Sequence, residues 1–262
     1  MEIEIVPADP AKNYTVFVTS PVAPALRPAA AKALLARGDP PAEQVAFVVS
    51  GGPLPRMEMM GGEFCGNAAR SFGMLLVQQQ GLRRGSVTVS VSGCPRPLTV
   101  EADLQAGTAA VDMPLPLRFD RAEAFGRSFP VAVFDGICHA IAEEPRDQSL
   151  LKALYTAMDR AFRPDAMGVL FLRRQPLGLT PAVWVRATGT TVWEHSCGSG
   201  SVAAALWLAL QTPEQSARRF SIAQPGGTLT VETALRGAKP AAARLGGPVV
   251  LGAPRRVAID LG

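Results

Sequence analysis

Cys65-Gly66-Asn67-Ala68-Ala69-Arg70-Ser71-Phe72-Gly73 and Cys197-Gly198-Ser199-Gly200-Ser201-Val202-Ala203-Ala204-Ala205 decide how this chain is read. Each segment opens on a cysteine, passes through glycine and a small polar residue, and runs into an alanine-rich stretch. The two cysteines stand 132 positions apart, almost half of the 262 residues. Further out, Leu98-Thr99-Val100-Glu101 returns as Leu229-Thr230-Val231-Glu232, 131 positions later. A strand-like run and a small-residue turn precede each tetrad, Val87 to Gly93 in one case and Phe220 to Gly227 in the other. Two ordered matches at nearly one offset predict a half-length unit used twice.

Each half reads alike. Alternating runs such as Tyr14 to Val18 and Val45 to Val49 predict strands. The Cys-Gly segments then open helices, over Asn67 to Gln80 and over Ser199 to Gln211, stopped by Gly81 and by Thr212-Pro213. Apolar residues at helical spacing predict a third helix over Gln148 to Phe162. The two cysteine-headed helices are small and apolar on most sides, as expected of helices wrapped by strands. The expected fold class is α/β (α+β). It has an N-terminal half, 1–117, completed by a strand at 250–262, and a C-terminal half, 118–249.

Composition removes several function classes. Hydrophobic residues make up 48% and charged residues 18%, which suits a packed core. The net charge is only +4, and the arginines are dispersed with no basic run among aromatics, so no nucleic-acid partner is expected. No apolar stretch is long enough to span a bilayer, and the start Met1-Glu2-Ile3-Glu4-Ile5 lacks a signal-peptide pattern. A cytoplasmic protein without a membrane partner is expected. Its four cysteines, Cys65, Cys94, Cys138 and Cys197, are then free thiols. With two histidines and no Cys-x-x-Cys pair, no metal site is expected.

A cysteine just before a helix points its sulfur at backbone N–H groups that lack intrahelical partners. The dipole there favours the thiolate, and such helix starts hold anions well. Each half therefore offers an acid or base beside a carboxylate cradle. Two such thiols suit inversion at a carbon centre: one thiolate removes an α-proton, and the other thiol returns one to the opposite face. Gly66, Asn67, Gly198 and Ser199 line the cradles. Cys94 and Cys138 have no such setting and read as packing residues. His139 is open between a structural role and the lining of the site, and His195, two residues before the second cysteine, reads as orienting its loop.

The paired Cys-Gly segments resemble those of the diaminopimelate epimerase family of cofactor-independent racemases, over the whole chain. Lys12-Asn13-Tyr14-Thr15-Val16-Phe17-Val18 resembles the family's first strand, Glu43-Gln44-Val45 its acidic-Gln segment, and Gly136-Ile137-Cys138-His139 its Gly-Asn-Pro-His turn. The resemblance implies two pseudo-symmetric halves, each a curled sheet around a central helix, with the site in the cleft between them. The family's Glu-Arg pair before the second cysteine is absent, and Ile137 replaces an Asn, so the distal end of diaminopimelate loses partners. Gly62-Glu63-Phe64-Cys65, Val192-Trp193-Glu194-His195-Ser196-Cys197 and Gln224-Pro225-Gly226-Gly227 are similar to another branch, the histidine racemases of opine-type metallophore biosynthesis. That resemblance implies a histidine substrate, no cofactor, Cys65 and Cys197 as acid/base thiols, and Asn13, Glu43, Gln44, Asn67 and Ser199 as substrate contacts. Glu43 suits the imidazole, because a carboxylate accepts its ring N–H. A homodimer is compatible with it. Two other readings stay open: a racemase of another amino acid, diaminopimelate or proline-like, and an inactive binding protein on the same fold. Retention of both cysteines speaks against the second.

Overall fold

Parallel neighbouring strands cannot be joined by a tight turn and need a crossover, usually a helix. The computed structural model, which describes residues 1–261, shows four such crossovers. The chain forms two compact units, Met1–Asp112 with the chain from Gly246 onward, and Met113–Leu245. The first holds β1 (Glu2–Asp9), β2 (Thr15–Val18), α1 (Arg27–Arg37), β3 (Gln44–Val49), β4 (Arg56–Met59), α2 (Gly66–Gln79), β5 (Arg84–Val91), β6 (Cys94–Asp103) and β7 (Thr108–Asp112). The second holds β8 (Arg118–Ala124), β9 (Arg127–Val133), β10 (Ile137–Ala142), α3 (Gln148–Phe162), β11 (Ala166–Arg174), β12 (Leu177–Val185), β13 (Thr190–Trp193), α4 (Gly198–Leu210), β14 (Ala217–Gln224), β15 (Gly227–Arg236) and most of β16 (Lys239–Pro248). The chain then returns to the first unit with β17 (Val250–Leu251) and β18 (Arg255–Ala258).

Each unit is a mixed α/β structure. In the first, β1 pairs antiparallel with β2 and β18, β2 runs parallel to β3 across α1, and β4 runs parallel to β5 across α2. In the second, β10 runs parallel to β11 across α3, and β12 touches β14 in parallel across α4. Antiparallel pairs include β5 with β6 and β14 with β15. The element order strand–helix–strand–strand–helix–strand–strand is thus common to both units once β13 is set aside.

The cysteine-headed helices are the most enclosed elements. In α2 nearly every residue from Gly66 to Val77 is buried, and α4 is buried over most of Gly198 to Ala209. Small residues make this possible. A Cβ at Gly73 would come within 2.9 Å of Val100 Cγ2 and closer still to the Val100 Cβ, so α2 lies against β6 at a separation only glycine permits. Opposite faces of the sheets carry α1 and α3. The first covers Ile5, Val16, Val45 and Phe47 with Ala30, Ala31 and Leu34. The second sets Leu150, Leu151, Leu154 and Met158 against β8 to β12.

The α3 helix matches its expected range, and its start is fixed by Asp147, whose carboxylate accepts from Ser149 N (2.6 Å) and Leu150 N (2.9 Å). The α2 and α4 helices begin one residue earlier than expected because the cysteines themselves are the caps. Sequence periodicity gave no helix over residues 27–37, where α1 stands. Its apolar stripe is mostly alanine, too weak to register as a hydrophobic face, although Pro28 in the first turn and Gly38 at φ +68° mark its ends. Among the described residues, no helix is long and apolar enough to cross a membrane.

Candidate active site

Cys65 caps α2 from an extended backbone, φ −129° and ψ 112°, and its sulfur accepts from Ala68 N at 3.4 Å. Cys197 caps α4 from φ −116° and ψ 111°, and its sulfur accepts from Gly200 N at 3.4 Å. The two sulfurs therefore occupy the same seat, three residues before the amide they face, in two different helices. An N-cap is ordinarily Ser, Thr, Asp or Asn, whose oxygen satisfies a first-turn amide. Cysteine fills the role here with an ionisable atom.

In the first unit a small amide network surrounds Cys65. Asn13 is the hub, two residues before β2. Its Oδ1 accepts from Gln44 Nε2 (3.0 Å) and Asn67 Nδ2 (3.2 Å), and the Cys65 thiol points to it at 3.8 Å. Asn13 Nδ2 donates to Glu43 at 3.0 Å. Gln44 Nε2 also lies 2.8 Å from Thr15 Oγ1 and 3.4 Å from the Cys65 sulfur. The expected contact residues Asn13, Glu43, Gln44, Gly66 and Asn67 are thus gathered within this unit around the thiol. Glu43 is exposed, Gln44 and Cys65 are half-buried, and Asn67 lies fully behind them. Asn67 serves the network, with its Oδ1 accepting from Arg70 Nε at 3.2 Å.

Arg70 is the residue that sequence reading passed over. It is 0% exposed in the interior of α2. Its Nη1 donates to Pro248 O at 2.7 Å, while Nη2 is buried without a hydrogen-bond partner. Burial pulls the guanidinium down to about 10, and the nearby charges of Cys65 and Asp9 pull the other way. Sequence position carried the only available signal: the fifth residue after the cysteine, on a helix read as apolar on most sides.

The second unit surrounds Cys197 differently. Gln224, at the end of β14, accepts from Cys197 N at 2.9 Å and donates to Ser201 Oγ at 2.8 Å, fixing the loop to the helix. Ser199 Oγ stands 3.7 Å from the Cys197 sulfur and 2.9 Å from His139 Nε2. His139 is 0% exposed on β10, its Nδ1 buried without a hydrogen-bond partner, and burial drags it down to about 3, so the ring is neutral. Cys197 itself is buried, and its thiol is pushed well above the ordinary range. Desolvation is the largest cause, followed by the charge and hydrogen bond of Glu194, against the opposing Gly200 amide and Ser199 hydroxyl. His139 thus stands behind Ser199, with its Nε2 against the Ser199 hydroxyl. His195 is exposed, and its carbonyl accepts from Gly226 N at 2.8 Å, bracing the cysteine loop.

The remaining thiols have no such surroundings. Cys138 is fully buried against Met158 Sδ at 3.6 Å and is pushed up to about 12 by desolvation. Cys94 is buried at the start of β6, 3.4 Å from Arg96 O. Among the described residues no three His, Cys, Asp or Glu side chains are grouped to hold a metal ion.

Comparison with known proteins agrees with this picture. The chain is 28% identical over 198 residues to the histidine racemase of Fusobacterium nucleatum subsp. nucleatum, covering 72% of each chain. It is 25% identical over 242 residues to the histidine racemase of Staphylococcus aureus strain Mu50, covering 87% of this chain and 88% of the relative. In fold it is similar to a Bacillus anthracis phenazine biosynthesis protein of the PhzF family, with a TM-score of 0.71, 12% identity, and coverage of 99% and 100%. A sequence profile described as the histidine racemase CntK N-terminal domain matches residues 2–256, and the chain belongs to that family.

Proposed function

We propose that this protein is a cofactor-independent histidine racemase that interconverts L- and D-histidine with Cys65 and Cys197 as its acid/base pair. The observation that carries the reading is the repeated sulfur seat. Each cysteine caps a buried helix and accepts from the amide three residues on, at 3.4 Å in both units. We read the units as two copies of one element order on a diaminopimelate epimerase-like frame.

In the proposed reaction a thiolate takes the α-proton, and negative charge spreads from the α-carbon into the substrate carboxylate. The first-turn amides of α2 and α4, which have no partners within their helices, are suited to stabilise that charge. The second thiol delivers its proton to the opposite face, and the chain ends with the thiol and thiolate exchanged. Solvent proton exchange restores the starting form. Glu43 is the proposed acceptor for the imidazole N–H. Its carboxylate takes Asn13 Nδ2, and an ionised carboxylate accepts several hydrogen bonds. The product D-histidine would serve opine-type metallophore assembly.

The test is incubation of the purified protein with single L-amino acids in deuterated water, without pyridoxal phosphate, following α-deuterium and chirality. Deuterium uptake with inversion for histidine alone is expected. Inversion of another amino acid in its place would refute the substrate, and silence with every amino acid would refute the enzyme.

A further inference from the structure

The two sulfur seats match in backbone but not in charge. Behind Cys65 stands a cation. Arg70 is the fifth residue of α2, wholly buried, tied through Asn67 and Asn13 to the thiol, and has one amino group without a hydrogen-bond partner. At the same 132-residue offset the second unit has Val202, buried and uncharged. Beside Cys197 stands an anion, Glu194, and at the same offset the first unit has Gly62. Asp9, at the end of β1, is charge-coupled to Arg70, and Glu43 is held by Asn13, which the Cys65 thiol also faces. Around Cys197, Glu194 acts on the thiol and the neutral His139 stands behind Ser199. Donor supply differs too. Ala68 N and Gln44 Nε2 both donate to the Cys65 sulfur, which at 3.8 Å also faces the Asn13 Oδ1 acceptor. Gly200 N donates to the Cys197 sulfur, with the Ser199 hydroxyl farther off.

We infer that the resting protein holds Cys65 as its thiolate and Cys197 as its thiol, and that buried Arg70 is the positioning residue that sets this order. An opposite charge nearby favours an ionised thiol, and hydrogen bonds donated to the sulfur do the same. Burial next to a carboxylate does the reverse. Arg70 touches no substrate in this assignment. It acts through its charge, and it also holds Asn67, which in turn donates to Asn13 Oδ1 beside the thiol. The inference rests on the two-thiol reading above for its catalytic meaning: the free protein would begin turnover by taking a proton with Cys65 and giving one with Cys197.

The experiment needs no substrate. The intact protein is carboxamidomethylated with iodoacetamide across a pH series, and the rate at each cysteine is read by peptide mass spectrometry. Because burial slows Cys197 at every pH, the deciding quantity is the midpoint of each profile and not the rate. The expected result is a Cys65 midpoint below the ordinary thiol value of about 8.5 and a Cys197 midpoint above it. Arg70→Gln, which keeps polar atoms and drops the charge, should raise the Cys65 midpoint and slow its modification at neutral pH at least several-fold. Arg70→Lys should restore most of the shift, and neither variant should move the Cys197 profile. Equal midpoints, or the reverse order, in the wild-type protein overturn the inference even if both Arg70 variants fail to fold. A folded Arg70→Gln protein with an unmoved Cys65 midpoint overturns the role of Arg70. Ordered midpoints with no racemisation of any amino acid would defeat the functional reading and leave this inference standing.

Discussion

His139 and Gly168 face each other as register partners on the parallel strands β10 and β11, and the imidazole lies over the glycine. A Cβ added at Gly168 would overlap His139 Nδ1 and stand 2.7 Å from its Cε1 and 3.2 Å from its Cγ. The obstacle is a flat ring in a fully buried place, so it can yield only by swinging away from Ser199. Gly168→Ala should therefore cost an overpacking penalty of about 1–3 kcal/mol and the His139–Ser199 hydrogen bond, about 1 kcal/mol. Together these give about 2–4 kcal/mol, which for a chain of this size lowers the melting temperature by roughly 5–15 °C. A double-mutant cycle with His139→Ala, read by urea unfolding, isolates the contact. Removing the ring opens the space the new methyl needs, so Gly168→Ala should cost at least about 1 kcal/mol less in that background. An additive cycle, or a Gly168→Ala protein that melts like wild type, would refute the reasoning that the glycine exists to seat the histidine. At a temperature where both proteins are folded, racemase activity should still fall, because Ser199 loses the partner that orients its hydroxyl toward Cys197.

Two further outcomes are expected. Cys65→Ser and Cys197→Ser should each lower histidine racemisation by about 10²–10⁴-fold, the range for loss of a positioned acid or base, measured by chiral chromatography; full activity in either variant would exclude the two-base assignment. The stability of the protein should fall as pH drops below about 6.5, because the unfolded chain protonates His139 near its ordinary value while the folded chain resists down to about 3. The slope approaches about 1.4 kcal/mol per pH unit, or about 2 kcal/mol lost by pH 5. Urea unfolding at several pH values should show this component in wild type and not in His139→Gln.

The sequence exposes the parts of this molecule that repeat or alternate. The Cys-Gly segments and the Leu-Thr-Val-Glu tetrads sit at one offset because both units need the same capped helix and the same following strand. The helix over Gln148–Phe162 is legible because its leucines recur on one face. The α1 helix is not, since an alanine face buries too little side chain to mark a period. Of the site, the cysteines and Asn13, Gln44 and Ser199 stand beside a motif or at a strand end, where pattern can find them. Arg70 is hidden for a physical reason, and for His139 sequence leaves a structural role and the lining of the site open. Pattern does not show how deeply a charged or titratable side chain sits, and only the fold shows that both are buried with one nitrogen left without a hydrogen-bond partner.

The unequal charges around the two thiols raise a thermodynamic question about the proposed reaction. L- and D-histidine have equal free energies in achiral solvent, so the equilibrium constant is one. The ratio of kcat/KM in the two directions must then also be one, whatever Arg70 and Glu194 do to the protein. A resting thiolate on Cys65 cannot make the protein a better catalyst of one direction by that measure. It can only redistribute kcat and KM, because one enantiomer meets the resting form and the other must wait for the thiol and thiolate to exchange. Matched units would give matched pairs of constants. A cation built into one copy and an anion into the other should give unequal kcat values, with KM values unequal in the same proportion. Equal kcat values for both enantiomers across the pH range would mean that the asymmetry of the two seats has no kinetic consequence.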